Sequence, residues 1–235
     1  QTTKEGYKVL TGPTKKKKKF GTFDLDGTLV KPGTLEKNFT CAMEIVGMPV
    51  GALDPYMAMV RKGARLPLDL YHTPILLDPN LARDTTRHEL FINTFHSLEL
   101  RTPYESVEGA HALLEKFDVS GKKKLVWSAN HLITIVDKMQ SAGFSFSCFA
   151  YVITNDGPYV KPHPEAILPV LQKFGLDPAD GFHVGDSLTD IEGSRASGLE
   201  FFGVLTGMLD RDGFHEHDVD DDHILDSVAD LPLVI

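Results

Sequence analysis

Short apolar runs alternate with amphipathic helical segments through residues 104–235 of this 235-residue chain. Strands are expected at residues 124–129, 150–154, 182–184, 201–205 and 223–225, and helices at 107–117, 131–142, 164–174 and 188–197. Repeated strand–helix units with short connections form a parallel sheet covered by helices on both faces. We therefore expect an α/β fold with a doubly wound parallel sheet. Pro169 falls inside one expected helix, where it is predicted to remove a hydrogen bond and cause a kink.

A further strand is expected at the start of the chain, where the run from Phe20 to Phe23 stops at two acids. Asp24 and Asp26 are one residue apart, so strand alternation puts both on the same side of the extended chain. Gly27 then permits a sharp turn. Ligands of open parallel sheets bind at the carboxyl ends of the strands, and this stretch therefore predicts a site. Taken alone, it is also compatible with an Asp-Gly turn that closes a hairpin.

Residues 31–103 have a different pattern, with apolar side chains at helical spacing and no convincing strand. One set consists of Leu35, Phe39, Met43 and Val46, and a less regular set consists of Leu81, Leu90, Phe91 and Phe95. Spacings of three and four residues predict several short helices. We therefore divide the chain into an N-terminal tail (1–17), an α/β core (18–30 and 104–235) and a small all-helical cap domain (31–103).

Composition and charge narrow the classes of function. No apolar run is long enough to cross a bilayer, so no membrane partner is expected. The formal charge is -9, but residues 1–19 carry seven Lys against one Glu. A solvated tail leading into an exposed strand start explains this run better than a nucleic-acid site, since no aromatic or second basic cluster accompanies it. Two distant cysteines, Cys41 and Cys148, favour a reducing cytoplasmic location.

Three further stretches carry polar groups where expected strands and loops end. Ser128 follows a strand, and free amides at the next helix start form a natural anion site with it. Lys161 lies between Val and Pro, which restrain it and so fix its positive charge. Asp186 ends another strand, and Asp190 follows one helical turn later. Clustered carboxylates repel each other, and a hard divalent cation such as Mg²⁺ relieves that repulsion.

The four motifs, in this order and with an insertion after the first, resemble the haloacid dehalogenase superfamily. The resemblance is to its phosphoglycolate-phosphatase-like branch, which has a Rossmann-like core and a helical cap in the first insertion position. It implies that Asp24 is a nucleophile that forms an aspartyl-phosphate and that Asp26 is the general acid and base. It also implies that Asp24, Asp186 and the backbone carbonyl of Asp26 bind Mg²⁺. Asp190 then supports the metal site or Lys161.

The same resemblance implies that the phosphoryl oxygens are held by Ser128, Ala129, Asn130 and Lys161. The expected activity is Mg²⁺-dependent hydrolysis of a small phosphomonoester, with a phosphorylated metabolite as the partner and a monomer or homodimer as the assembly. A sugar phosphomutase shares all four motifs and is the alternative among enzymes. A binding protein that retains the fold without catalysis is the alternative from another class.

Basic residues of the expected cap are the candidates for substrate selection. They form two groups, Arg61, Lys62 and Arg65, then Arg83 and Arg87 with His88. A phosphatase core recognises only the phosphoryl group, so discrimination between leaving groups has to come from the lid. We expect at least one of these cations to pair with a second anionic group of the substrate. Each of them is also compatible with a solvated helix face.

Overall fold

A computed structural model describes residues 18–233. The tail predicted at 1–17 lies outside these residues. Six strands are present: β1 (Phe20–Phe23), β2 (Lys123–Trp127), β3 (Tyr151–Ile153), β4 (Gly181–Gly185), β5 (Glu200–Val204) and β6 (Ile224–Leu225). Each predicted strand is found, with ends displaced by no more than a few residues. None of the helices within 18–233 is both long and apolar enough to span a membrane.

All six strands form one parallel sheet in the order β3-β2-β1-β4-β5-β6. β1 is central, with Phe23 beside Val126 of β2 and Val184 of β4. The strand order reverses between β1 and β4, and this kind of switch point leaves a crevice at the carboxyl ends of the strands. The predicted doubly wound α/β fold is confirmed.

Nine α-helices accompany the sheet in the described part of the chain. They are α1 (Gly33–Ile45), α2 (Leu53–Arg61), α3 (His72–Leu77), α4 (Thr85–Glu99), α5 (Ala110–Ser120), α6 (Leu132–Ser141), α7 (Leu168–Lys173), α8 (Leu188–Ser197) and α9 (Arg211–Glu216). α8 has the bounds that the sequence predicted.

The predicted kink at Pro169 is wrong. The stretch expected as one helix is split into a 3₁₀ turn, Pro164–Ala166, and the separate helix α7. Pro169 lies in the first turn of α7. The amide of that position has no intrahelical acceptor in any helix, so proline costs no hydrogen bond there.

Aromatic side chains fill the layer between the sheet and its helices. Phe23, Phe117 and Phe182 contact one another edge to face, with ring centroids 5.5–6.1 Å apart. All three are buried. On the sheet, Phe20 packs over Gly181, where an added Cβ would lie 2.1 Å from the ring. The packing of β1 against β4 therefore depends on a glycine at 181.

The start of β1 is more enclosed than the lysine run suggested. Phe20 is fully buried. Lys18 pairs with Glu200 at 2.7 Å, and Lys19 pairs with Asp180 at 2.5 Å. The predicted exposed strand start holds for Lys19, whose side chain is 65% exposed, but not for Phe20, and both lysines pair with acids in neighbouring parts of the core.

The helices between β1 and Thr102 form a hydrophobic cluster of their own. Phe39 packs edge to face on Phe91 and Phe95, with centroid distances of 4.9 and 6.0 Å. Leu81 is buried as expected, but Leu90 is half exposed, since it lies on the outer face of α4. This helical segment, residues 33–100, corresponds to the predicted cap domain, although the predicted domain boundaries remain a proposal.

The two connections between the helical segment and the sheet lie side by side. Lys31 N–H donates to the carbonyl of Glu105 at 2.9 Å, and Val107 N–H donates to the carbonyl of Leu29 at 2.8 Å. An antiparallel bridge also joins Val30 to Ser106. The chain therefore leaves and re-enters the core through two adjacent segments that are hydrogen-bonded to each other.

Candidate active site

The sheet brings the polar residues that follow three neighbouring strands to one edge. Asp24 follows β1, Ser128 follows β2, and Asp186 follows β4. β1 lies between the other two strands. The site predicted from the acid pair is therefore at the switch point of the sheet, and the hairpin alternative for residues 20–28 is excluded because β1 pairs with parallel strands on both sides.

Lys161 lies between two acids of this edge. Its Nζ is 2.9 Å from Asp24 Oδ1 and 2.5 Å from Asp190 Oδ1, and all three residues are buried. Burial alone would lower the pKa of Lys161, but Asp190 and Asp24 raise it to about 12. The ammonium also lies 5.4 Å from the centre of the Trp127 ring. Lys161 is therefore a fixed cation in contact with Asp24, consistent with the restraint expected from its neighbours.

Asp190 is held by several donors at once. His183 Nε2 lies 2.9 Å from its Oδ1, while Ser187 N–H and Asp186 N–H donate to its Oδ2 at 2.9 and 3.2 Å. The Ser187 hydroxyl also donates to Oδ2. Burial would raise the pKa of Asp190, but Lys161 and His183 hold it below its ordinary value. Asp190 therefore stays ionised, and its oxygens are occupied by protein donors.

Asp24 and Asp186 are the acids whose charge is least compensated. One carboxylate oxygen from each of Asp24, Asp186 and Asp190 lies within 4.8 Å of the other two. Burial raises the pKa of Asp24 to about 7, and burial together with Asp24 raises the pKa of Asp186 well above its ordinary value. A divalent cation would remove this repulsion, and carboxylate oxygens are the ligands that Mg²⁺ prefers. The residues present therefore fit a hard divalent metal.

Two glycines leave room around the Asp186 carboxylate. A Cβ at Gly27 would lie 2.3 Å from Asp186 Oδ2, and one at Gly207 would lie 1.9 Å from the same oxygen. Gly27 also has a φ of +71°, which L side chains rarely adopt. Met208 N–H donates to Asp186 Oδ2 at 2.6 Å and fixes its orientation. Any side chain at 27 or 207 would displace this acid.

Asp26 lies in a different environment from Asp24. Its Oδ1 accepts from Lys138 Nζ at 2.8 Å, and its Oδ2 accepts from Asn130 Nδ2 at 2.5 Å. The Asp26 side chain is partly exposed, while that of Lys138 is fully buried. Asp26 is thus the acid of the pair that is accessible from outside, and its carboxylate is oriented by one cation and one amide.

The turn after β2 differs from the expected anion site in one respect. Asp156 Oδ2 accepts from the N–H of Leu132, the first residue of α6, at 2.7 Å. That helix-start amide is therefore already occupied. Ser128 Oγ accepts from Asn130 N–H at 3.2 Å. Phosphate binding by Ser128, Ala129 and Asn130 stays a prediction, based on the loop itself and not on the helix start.

Comparison with known proteins identifies the family. Residues 22–198 match the sequence profile of haloacid dehalogenase-like hydrolases. The chain belongs to this family. It is similar to pyrophosphatase PpaX of Bacillus pumilus, with 26% identity over 91% of this chain and 94% of the relative. It is also similar to a phosphoglycolate phosphatase of Pseudomonas putida, with 28% identity over 79% of this chain and 68% of the relative.

Among solved structures, the fold matches a protein of Haemophilus somnus described as a predicted phosphoglycolate phosphatase. The TM-score is 0.74 at 22% identity, with 92% of this chain and 97% of the other covered. The predicted membership of the haloacid dehalogenase superfamily is confirmed. Residues of all four sequence motifs lie at the carboxyl-end edge of the sheet described above.

Most of the basic residues proposed for substrate selection in this haloacid dehalogenase-like chain have protein partners of their own. Arg61 pairs with Glu36 at 2.5 Å, Lys62 pairs with Asp212 at 2.6 Å, and Arg65 pairs with Glu192. Arg87 Nε donates to the Val46 carbonyl at 2.7 Å, one of its Nη atoms lies 2.7 Å from Asp78, and Arg83 is exposed. His88 lies 3.2 Å from the Leu70 carbonyl. Their role in substrate selection stays a prediction.

Sequence reasoning missed Lys138 and His183. Lys138 shares the buried face of α6 with Ile135 and Met139. That position on an apolar stripe is a signal that the sequence does contain, since a lysine there needs a buried partner. His183 lies between the apolar residues Phe182 and Val184 in β4. Strand alternation alone therefore does not show that its ring reaches Asp190.

Proposed function

We propose that the chain is a Mg²⁺-dependent phosphatase that hydrolyses a small phosphomonoester through an aspartyl-phosphate on Asp24. The observation that supports this most strongly is the pairing of two aspartates in unlike surroundings. Asp24 is buried and lies 2.9 Å from a fixed ammonium, whereas Asp26 is partly exposed and held by Lys138 and Asn130. A nucleophile has to be ionised, which Lys161 and a bound cation would favour at Asp24, and a proton donor has to be open to the leaving group, as the partly exposed Asp26 is.

The two steps follow from these groups. An oxygen of Asp24 attacks phosphorus, the bond from phosphorus to the leaving oxygen breaks, and Asp26 gives its proton to that oxygen. Water then attacks the phosphorus of the aspartyl-phosphate, Asp26 takes its proton, and the bond to Asp24 breaks to release phosphate. Lys161 offsets the negative charge of the phosphoryl oxygens in both steps.

Mg²⁺ would be held by the carboxylates of Asp24 and Asp186 and by the backbone carbonyl of Asp26. When bound, it supplies the charge that lets one anion approach another. We assign Asp190 a supporting role and not direct metal binding, because its oxygens already accept from protein donors: Lys161, His183, Ser187 and the Asp186 amide. It therefore orients Lys161 and the loop that carries Asp186.

We further propose that residues 31–103 act as the cap and select the leaving group. The relatives act, by their names, on pyrophosphate and on phosphoglycolate. Both substrates carry a second anionic group beside the phosphoryl group that is transferred, and this favours a small anionic phosphoester here. The reducing cytoplasmic location expected from Cys41 and Cys148, which are both free, belongs to the same proposal.

The Asp24→Asn variant tests the function. It removes the nucleophilic oxygen and keeps the volume, so phosphate release from a panel of phosphorylated metabolites and 4-nitrophenyl phosphate is expected to fall at least about a thousandfold. Circular dichroism and thermal unfolding verify the fold. Asp54→Asn, at an exposed position in α2, is the matched control and is expected to retain activity. Hydrolysis by Asp24→Asn at the rate of the control would overturn the proposal. Transfer of phosphate to a sugar instead of water would identify a mutase.

A further inference from the structure

A lysine of α6 is buried more deeply than lysines normally are. The Lys138 side chain has no exposed surface. Lysines are almost never fully buried unless they are paired, because an unpaired ammonium loses its hydration. Its neighbours on the same face of the helix, Ile135 and Met139, are apolar and fully buried. Something other than packing therefore accounts for a cation at this position.

The partners of Lys138 come from two different parts of the molecule. Its Nζ is 2.8 Å from Asp26 Oδ1, in the core, and 3.8 Å from Oε1 of Glu99, the last residue of α4. The ammonium lies 5.1 Å from the centre of the Tyr104 ring, and the Tyr104 hydroxyl donates to Glu99 at 3.1 Å. Lys138 is therefore enclosed on one side by Glu99 and Tyr104, with Asp26 on the other.

This enclosure determines the orientation of the Asp26 carboxyl group. Asn130 holds Oδ2 and Lys138 holds Oδ1, so rotation of the group about its last bond would break both contacts. The Asp26 side chain is 20% exposed, and these two donors are the ones that hold its two oxygens. Loss of either donor leaves the acid able to turn away from a substrate.

We propose that Lys138 is a positioning residue that aims the Asp26 carboxyl group at the leaving oxygen. The proposal rests on the proposed function. In the first step the Asp24 oxygen bonds to phosphorus, the phosphorus–oxygen bond of the ester breaks, and the Asp26 proton moves to the departing oxygen. A misaimed acid delivers that proton poorly, even when the nucleophile is intact. Placement within a fraction of an ångström is what such a transfer requires.

The leaving group provides a readout that a purely structural role would not change. An alkoxide needs a proton in order to depart, whereas 4-nitrophenolate departs without one. kcat/KM reports the first phosphoryl transfer and is therefore the quantity to compare. For Lys138→Met we expect kcat/KM to fall about 100-fold with an alkyl phosphate, within the range that general acids contribute, and less than about threefold with 4-nitrophenyl phosphate. Equal losses with both substrates would contradict the proposal.

Three further variants complete the test. Lys124→Met is the matched control, since Lys124 is also buried and paired with an aspartate, Asp118, but lies in β2 near the opposite edge of the sheet. We expect it to leave the ratio of the two kcat/KM values unchanged. In an Asp26→Asn background, Lys138→Met is expected to have no additional effect on the alkyl phosphate, and a further 100-fold loss would show that Lys138 acts without Asp26.

Lys138→Gln keeps the experiment decisive where Lys138→Met does not fold. Glutamine is polar and shorter, so it is expected to cause the same selective loss with the alkyl phosphate, and unselective loss would again overturn the inference. The two proposals fail separately. A wild-type chain that hydrolyses neither substrate refutes the phosphatase function, whereas an active wild type with unselective variants refutes only the role of Lys138.

Discussion

At the scale of single residues, the proposed metal site depends on side chains that are absent as much as on acids that are present. Asp186 occupies space that a Cβ at residue 27 or 207 would take. Burial and the neighbouring Asp24 raise the pKa of the Asp186 carboxyl group, whereas the hydrogen bond from the Met208 amide lowers it. Asp186 is the ligand that follows β4 in the proposed Mg²⁺ site, so a small displacement of this acid is expected to weaken metal binding.

Gly207→Ala is expected to weaken Mg²⁺ binding about 10- to 100-fold, as changes around metal ligands commonly do. The added methyl group would lie 1.9 Å from Asp186 Oδ2 and so has to move it. Titration calorimetry with Mg²⁺ measures the affinity without relying on turnover. Gly51→Ala is the control, because no atom lies within 4 Å of a Cβ there. Equal affinity in the two variants would contradict the assignment of Asp186 as a ligand.

The sequence predicted several residues that the structure brings together at one edge of the sheet, and their catalytic roles stay a prediction. Asp24 and Asp186 were identifiable because each follows a recognisable strand, and strands of one parallel sheet end together. Lys138 was not identified, although it shares an apolar stripe of α6, because its partners Asp26 and Glu99 belong to distant parts of the chain. Helix packing across a long insertion leaves little trace in local spacing.

At the scale of elements, a single arginine ties three parts of the helical segment together. Arg87 of α4 donates to the carbonyls of Val46 and Gly47, just after the end of α1, at 2.7 and 2.8 Å. It also pairs with Asp78, the residue that follows α3. Carbonyls at a helix end have no intrahelical donor, so a cation there satisfies them. In this arrangement Arg87 stabilises the packing of α1 on α4.

Arg87→Ala is expected to lower the free energy of unfolding by about 2 kcal/mol, the size typical of hydrogen bonds to charged groups. Arg83→Ala, at an exposed position four residues earlier, is the control and is expected to have little effect. Burial would raise the pKa of Asp78, but the Asn80 amide and Arg87 hold it below its ordinary value. The contribution is therefore present at neutral pH and lost as the pH falls through that lowered pKa. Equal stability of the two variants in urea would refute this role.

The ends of two helices show how well local sequence patterns predict helix boundaries. α8 was predicted to the residue, since Ser187 and Asp190 form a capping box at its start and Gly198 ends it in a left-handed conformation. The stretch 164–174 was predicted as one helix, although Pro169 begins a second one. The second outcome follows from the position of the proline, which is favoured in a first helical turn and excluded from the helix interior.

At the scale of the whole molecule, residues 18–233 consist of an α/β core that contains the proposed active site and a helical segment whose two connections to the core lie side by side. Glu99 at the end of that segment lies 3.8 Å from Lys138, which holds Asp26. The loop after α2 also contacts the core, where a Cβ at Gly213 would lie 2.2 Å from the Arg61 carbonyl. The segment therefore touches the core at several places, including the Arg65–Glu192 pair, and one of them adjoins the proposed proton donor.

In the proposed function, Asp24 carries the phosphoryl group during turnover. The most direct measurement is mass spectrometry of peptides from the Asp26→Asn variant, quenched in acid after brief incubation with Mg²⁺ and the best substrate. Loss of the general base slows hydrolysis of the intermediate, so we expect a phosphoryl group on the peptide that contains Asp24 and none on the corresponding peptide of Asp24→Asn. A phosphoryl group on any other residue, or steady phosphate release with no phosphorylated peptide in either variant, would contradict it.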